Sequence, residues 1–261
     1  MIDPRQPPFR IAAIGDLHIR TEAPRWLHEQ LDGIAGRADV LVITGDITNH
    51  GRLTQAEIAA DALRGADIPI IAVLGNHDRR CIRRRAFHSI LERVGVTFID
   101  GETFVLDSGR RLGFAGVGGS GGGFWPDEGP DTLPRRACQR LAIRARWEAA
   151  RLDSLLDRLD TDAKVVVTHY APTIATLGRE PVLKQWLLGN MEIGRVIDRH
   201  TVDLVLHGHA HLGNPMGFTA GGTLVRNVAQ DVSGGLVIHE LALPVRTIGH
   251  HGLAALVEAR A

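Results

Sequence analysis

The sequence predicts an α/β fold built on a mostly parallel sheet. Three observations predict it. Short apolar runs alternate with longer segments of helical periodicity, the runs lack polar alternation as strands covered on both faces do, and five of them end abruptly in Asp, Asn or His.

In chain order, "FRIAAIGD" (9–16), "ADVLVITGD" (38–46) and "IPIIAVLGN" (68–76) read as buried strands rich in Ile, Val and Ala. Between them, "RWLHEQLDGIAG" and "LTQAEIAADALRGA" carry apolar residues at helical spacing. This is β-α-β-α-β, whose crossovers are right-handed in a parallel sheet. "AFHSILERVG" predicts a helix leading to "VTFID", and "TFVLDSGRRLGFAGVGG" a hairpin turning near Ser108-Gly109. The Gly- and Pro-rich residues 116–136 predict a long loop, and 137–159 a long amphipathic helix. "KVVVTHYAP" (164–172) and "VDLVLHGHAH" (202–211) predict two more buried strands, and "TLVRNVA" and "GLVIHELAL" late antiparallel ones. No repeat or linker divides the 261 residues, so one domain with a core over about 10–240 is expected.

The totals narrow the function classes. Formal net charge is zero, which gives no global attraction to nucleic acid or an acidic membrane. Two cysteines, Cys81 and Cys138, make neither a disulfide framework nor a thiolate metal site. The start lacks the pattern of a signal peptide and no run approaches a membrane span, so a cytoplasmic location is the expectation.

The chemistry lies at the strand ends. These are Asp16 and His18, Asp46 and Asn49, the triplet Asn76-His77-Asp78, His169, and His207, His209 and His211. Asp16, Asp46 and Asn76 are each about one βα unit, or about thirty residues, apart. Successive parallel strands end on one edge of a sheet, so these side chains converge where open sheets bind ligands. His169, His209 and His211 end two further strands and can join them.

Carboxylates, an amide and imidazoles without a thiolate suit Mn, Fe, Zn or similar ions. Six or seven such donors are too many for one tetrahedral ion and about right for two that share a carboxylate. Asp46, the middle member of the series, is the natural bridge. Two ions roughly 3.5–4 Å apart can hold a hydroxide between them and clamp an in-line displacement. Asp16, Asp46 and that hydroxide offset three of the four charges of two divalent ions. An amide at position 76 adds no further negative charge, and the surplus attracts a phosphate anion.

Taken together and in order, D-x-H (Asp16, His18), G-D-x-x-N (Gly45, Asp46, Asn49), G-N-H-D (Gly75–Asp78), a lone His169 after a strand and G-H-x-H (Gly208–His211) resemble the calcineurin-like metallophosphoesterase superfamily over roughly residues 10–240. "GDITNHG" looks most like the bacterial cyclic-nucleotide phosphodiesterase-type branch. The resemblance implies a four-layer αββα sandwich of two mixed sheets flanked by helices. It implies one ion on Asp16, His18, Asp46 and His211, and another on Asp46, Asn76, His169 and His209. It casts His77 as general acid with Asp78 as its hydrogen-bond acceptor. The implied activity is hydrolysis of small phosphate esters, diesters in particular.

Blander readings stand beside these. Asp16 alone fits a helix N-cap, and Asn49 a cap, a turn or a hydrogen bond behind the ligands. His207 fits a structural role. "RRCIRRR" (79–85) is either a solvated helix face or a phosphate-guiding patch, and "GVGGSGGGF" does not lead into the Lys-Ser/Thr helix of a P-loop. "PVLKQWLLGNM" (181–191) fits a lid or a homodimer contact. A nuclease would need a basic track that the neutral chain lacks. A non-catalytic scaffold would have lost ligands that are all present here.

Overall fold

The computed structural model describes residues 7–124 and 136–242, with the side chains of residues 137 and 138 excepted. Residues 125–135 of the expected 116–136 loop, the Cys138 side chain and the C-terminal residues from 243 lie outside this description. The elements are β1 (Phe9–Ile14), α1 (Arg25–Leu31), β2 (Val40–Ile43), α2 (Leu53–Leu63), β3 (Ile70–Ala72), α3 (Arg84–Glu92), β4 (Val96–Phe98), β5 (Glu102–Asp107), β6 (Arg111–Val117), α4 (Arg136–Arg158), β7 (Ala163–Thr168), α5 (Gln185–Leu188), α6 (Met191–Arg199), β8 (Leu204–His207), β9 (Met216–Phe218), β10 (Leu224–Asn227), α7 (Gln230–Ser233) and β11 (Val237–Leu241).

They form two mixed sheets flanked by helices. One sheet has the order β11-β1-β2-β3-β4, the other β5-β6-β7-β8-β10-β9. In the first, β1 to β4 run parallel and β11 is antiparallel to β1. In the second, β6, β7, β8 and β10 run parallel between antiparallel β5 and β9.

The absence of polar alternation follows from this layering. Along β1, Ile11 and Ala13 face the other sheet, where Phe114, Val165 and Leu206 meet them. Ala12 and Ile14 face α1, α2 and α3, against Leu27, Ala59 and Phe87. On the far side, Val166 and Val205 pack against Leu152 and Leu156 of α4 and Ile197 of α6. Each central strand thus buries both faces, and about 25 cal/mol per Å² of apolar area favours the sandwich.

One detail departs from the sequence reading. "GLVIHELAL" is antiparallel as expected, as β11 beside β1, but "TLVRNVA" is antiparallel only to β9 and lies parallel to β8. The reason is β9, a three-residue strand in a Gly- and Pro-rich stretch too short to show periodicity. It reverses the chain after β8, so that β10 returns in the direction of β8. Among the described residues no helix is long and apolar enough to cross a membrane.

Candidate metal centre

The parallel strands of both sheets deliver their carboxyl ends to one edge of the sandwich. A bridge between Gly15 and Ala229 and a hydrogen bond from Gly15 N to Val228 O (2.8 Å) join the two sheets there. The polar residues beyond those ends come together. Asp16, His18 and His211 form one group, Asp46, His169 and His209 another, and His18, Asp46 and His77 a third between them. Within each group the candidate ligand atoms lie within 4.8 Å of one another. Asn76 joins through its Oδ1, 3.0 Å from His169 Nε2.

The backbone is bent to make this happen. Asp16, His18, Asp46 and His209 adopt left-handed φ values of 57°, 43°, 50° and 67°. Non-glycine residues enter that region at a cost of order 1–3 kcal/mol each, and such residues cluster at functional sites. Glycines beside the ligands serve a second purpose. A Cβ on Gly75 would fall 2.0 Å from Asp46 Oδ1, and one on Gly208 2.2 Å from Asp16 Oδ2. Each carboxylate therefore occupies space that a glycine on another strand leaves open.

Hydrogen bonds then decide which atoms face inward. Asp46 Oδ1 accepts from His77 N (2.7 Å), so Oδ2 alone faces His169 (3.5 Å) and His18 (3.7 Å). Asp16 Oδ2 accepts from His209 N (2.8 Å), which leaves Oδ1 facing His211 Nε2 (3.1 Å). His169 Nδ1 donates to Thr44 O (2.9 Å) and His211 Nδ1 to Asp231 (2.6 Å), so both present Nε2. His209 is reversed: its Nε2 donates to Leu187 O (3.3 Å), and Nδ1 is the nitrogen left for the site. Such outer partners fix the tautomer of an imidazole ligand.

The electrostatics follow. Burial works against charge on His169, but the Asp46 carboxylate overrides it and carries the imidazole up to about 9. His211, bonded first to Asp16 and then to Asp231, also reaches about 9. Burial opposes ionisation of Asp16 and Asp46 as well. His211 and His169, respectively, nevertheless hold the two carboxyls below their ordinary range. Burial, reinforced by charged His169, drives His209 down to about 3, and burial also lowers His18.

Asp16 Oδ1 and Asp46 Oδ2 are buried acceptors that no backbone N–H or hydroxyl reaches, and imidazole nitrogens face them, His211 Nε2 at 3.1 Å and His169 Nε2 at 3.5 Å. Buried carboxylate oxygens are costly without compensating charge, and among the described residues the groups ion-paired with these two are imidazoles, with no guanidinium or ammonium. That donor set fits divalent first-row metal ions.

His77 and Asp78 part company. His77 Nδ1 donates to the backbone carbonyl of Asn49 (2.6 Å), not to Asp78. The expected His77–Asp78 bond is absent because Asp78 is turned inward, buried beneath the strand ends. There it accepts from Ile47 N (3.1 Å), Thr48 N (2.8 Å), Thr48 Oγ1 (2.8 Å) and Gly75 N (3.2 Å). Burial and the Asp46 charge push its carboxyl up to about 6, against those hydrogen bonds.

His18, His77, His211 and Asn49 line an open cleft of about 410 Å³, together with Arg20, Gln230 and Asp231. Asp231 has no motif in the sequence, and only the fold brings α7 to His211. His207 is buried between the Gly208 carbonyl and the Thr176 hydroxyl, a structural placement. Arg83, Arg84 and Arg85 are exposed around the start of α3. The 182–188 segment leaves Val182 and Leu183 largely exposed while Leu187 O holds His209.

A family model described as calcineurin-like phosphoesterase matches residues 9–213. The chain belongs to that family. The calcineurin-like architecture recurs in TT1561 of Thermus thermophilus, with TM-score 0.57 at 17% identity, covering 89% of this chain and 99% of that one. It recurs in a putative 5'-nucleotidase of Staphylococcus aureus solved with alpha-ketoglutarate, with TM-score 0.59 at 12% identity over 90% of this chain. That match spans 52% of the nucleotidase chain. Likenesses at these identities carry the fold alone. A stretch of 49 residues is 39% identical to the glycerophosphodiester phosphodiesterase GpdQ of Enterobacter lignolyticus (strain SCF1), covering 19% of this chain and 18% of that enzyme.

Proposed function

We propose that this calcineurin-like phosphoesterase is a binuclear metal-dependent hydrolase that prefers phosphodiesters to phosphomonoesters. The observation that carries the reading is the pair of buried carboxylate oxygens, Asp16 Oδ1 and Asp46 Oδ2, faced by a ring of imidazoles and reached by no backbone N–H or hydroxyl. Asp16, His18 and His211 would hold one ion, Asn76, His169 and His209 the other, and Asp46 Oδ2 both. Two divalent ions there supply Lewis acidity toward phosphoryl oxygens and the ionised water that attacks phosphorus.

The remaining work falls to the chain. His77 keeps its Nδ1 proton on the Asn49 carbonyl. Its Nε2, 4.0 Å from Asp46 Oδ2, is therefore the nitrogen that takes a proton from solvent and passes it to the departing alkoxide. The cleft beside it receives the leaving group. With the attacking water counted as ionised, two divalent ions exceed Asp16 and Asp46 by a single positive charge, which matches a diester monoanion. The partial likeness to a glycerophosphodiester phosphodiesterase points the same way.

The test is kcat/KM for matched nitrophenyl mono- and diesters on protein loaded with Mn, Fe or Zn, with metal content measured in parallel. A diester preference at two ions per chain is expected. A monoester preference above tenfold, or full activity with one ion, would overturn the reading.

A further inference from the structure

The two arginines that follow Asp78 have opposite fates. Arg79 turns into the protein, where Nη2 pairs with Asp100 (2.9 Å) and Nη1 reaches Glu148 (3.5 Å) and the Gly119 carbonyl (3.3 Å). It ties the Asn76–Asp78 turn to the 118–120 segment and to α4. Arg80 is exposed and meets no carboxylate among the described residues. Its one side-chain hydrogen bond there is Nη2 to His77 Nε2, at 3.3 Å.

That contact is a cation resting on a lone pair. Because Nδ1 donates to the Asn49 carbonyl, Nε2 can only accept from the guanidinium. At 3.3 Å it is long for such a bond, and it leaves most of the five N–H donors of Arg80 free. A phosphoryl oxygen is a far better acceptor for a guanidinium than a neutral imidazole, with charge-assisted bonds near about 2.7–2.9 Å. The same nitrogen must carry a proton before it can serve the departing alkoxide, and the guanidinium occupies its lone pair, so a substrate that draws Arg80 away also frees Nε2 to take up that proton from solvent.

We propose that Arg80 binds a non-bridging oxygen of the scissile phosphoryl group, leaving His77 Nε2 as it does so, and that this contact sets how well monoester dianions are accepted relative to diesters. The proposal rests on the phosphoesterase reading above and extends it to substrate charge. Arg80, not the Arg83–Arg85 cluster, is the cation that touches His77, and Arg20 lines the cleft beside it. A second negative charge on the phosphate gains more from a guanidinium than the single charge of a diester does, so the contact acts on selectivity as well as on affinity.

The experiment uses metal-loaded wild type, Arg80→Ala, Arg80→Lys and, as a control on the exposed cluster, Arg83→Ala. Inorganic phosphate binding is measured by calorimetry, alongside kcat/KM for nitrophenyl mono- and diesters. Arg80→Ala is expected to weaken phosphate by roughly 10–100-fold, the scale of a hydrogen bond between charged groups. It should also lower the monoester-to-diester ratio of kcat/KM at least fivefold, with metal content and Tm unchanged. Arg80→Lys should restore part of the phosphate affinity, and Arg83→Ala should match wild type. Phosphate affinity within twofold of wild type in Arg80→Ala, or equal losses for both esters, overturns the proposal. If wild type hydrolyses neither ester yet binds phosphate through Arg80, the activity reading falls and the assignment of Arg80 as an anion-binding residue stands.

Discussion

Replacing Asp78 by alanine should destabilise the protein in a way that depends on pH. Its carboxyl accepts three backbone N–H groups, from Ile47, Thr48 and Gly75, and the Thr48 hydroxyl. These hold the turns that carry Asp46 and Asn76. Thr48 Oγ1 can rotate, but the three N–H groups are left buried without an acceptor, at about 1–2 kcal/mol each, or about 5 kcal/mol together. An opposing effect comes from ionisation. Burial and the neighbouring Asp46 raise the carboxyl from 3.8 to about 6. Keeping it ionised in the fold therefore costs about 3 kcal/mol once pH exceeds 6. The sign is fixed: a folded pKa above the unfolded one gives stability that is complete below about 4 and is lost as pH rises through 6. Alanine removes both effects. Its net cost should be about 2 kcal/mol at pH 8 and about 3.5 kcal/mol at pH 5, where only about half of the ionisation penalty has accrued. The assay is urea unfolding of chelator-treated wild type and Asp78→Ala in matched buffers, with the difference taken at each pH so that other titrating groups cancel. A cost below 1 kcal/mol at pH 5, or one that grows toward pH 8, would refute the reasoning.

His77→Ala should retain metal and lose turnover by roughly 10²–10⁴-fold, less with a nitrophenolate than with a poor leaving group. Equal losses for both would reassign it to a positioning role. Below pH 9 the metal-free site holds protons on His169 and His211, which an entering ion must displace. Calorimetry in buffers of different ionisation enthalpy should find at least two protons released per fully loaded chain at pH 7, a third coming from the ionised water, and release of none would contradict it. In the metal-free protein the same raised values give stability that is complete below about 6.5 and is lost as pH climbs through 9, so Tm should fall across that window until metal is added. Asp231→Ala should weaken metal binding by about 10–100-fold through loss of the His211 Nδ1 acceptor. An unchanged dissociation constant would show that the bond does not orient the ring.

Much of the fold was legible because each central strand is covered on both faces, and an uninterrupted apolar run advertises that. The turn residues after β1, β2, β3, β7 and β8 were legible for a related reason. A strand that stops at Gly-Asp, Gly-Asn or Gly-His announces both a tight turn and a polar edge. What escaped was whatever depends on where a side chain points. Nothing in "GNHD" says that His77 and Asp78 face opposite ways or that a backbone carbonyl at Asn49 takes the imidazole proton. Asp231 sits in an ordinary helical turn and acquires its contact only because β10 returns α7 to the edge. The spacing suggested Asp46 as the bridge, but one of its oxygens is taken by His77 N, so in the proposed centre the sharing would fall on a single atom.

The glycine notches restrict how this centre can change over time. Asp46 is lodged against Gly75 and Asp16 against Gly208, and a Cβ on Gly45 would come within 2.8 Å of His169 Nδ1. Lengthening Asp46 or Asp16 to glutamate, or filling any of these glycines, disturbs a residue on a different strand, so no single replacement there is local. His18 and His211 border the cleft instead, with side chains 20% and 33% exposed. These two positions are where drift or engineering has room to retune which ion is held, while the inner half of the centre can change only by paired substitution.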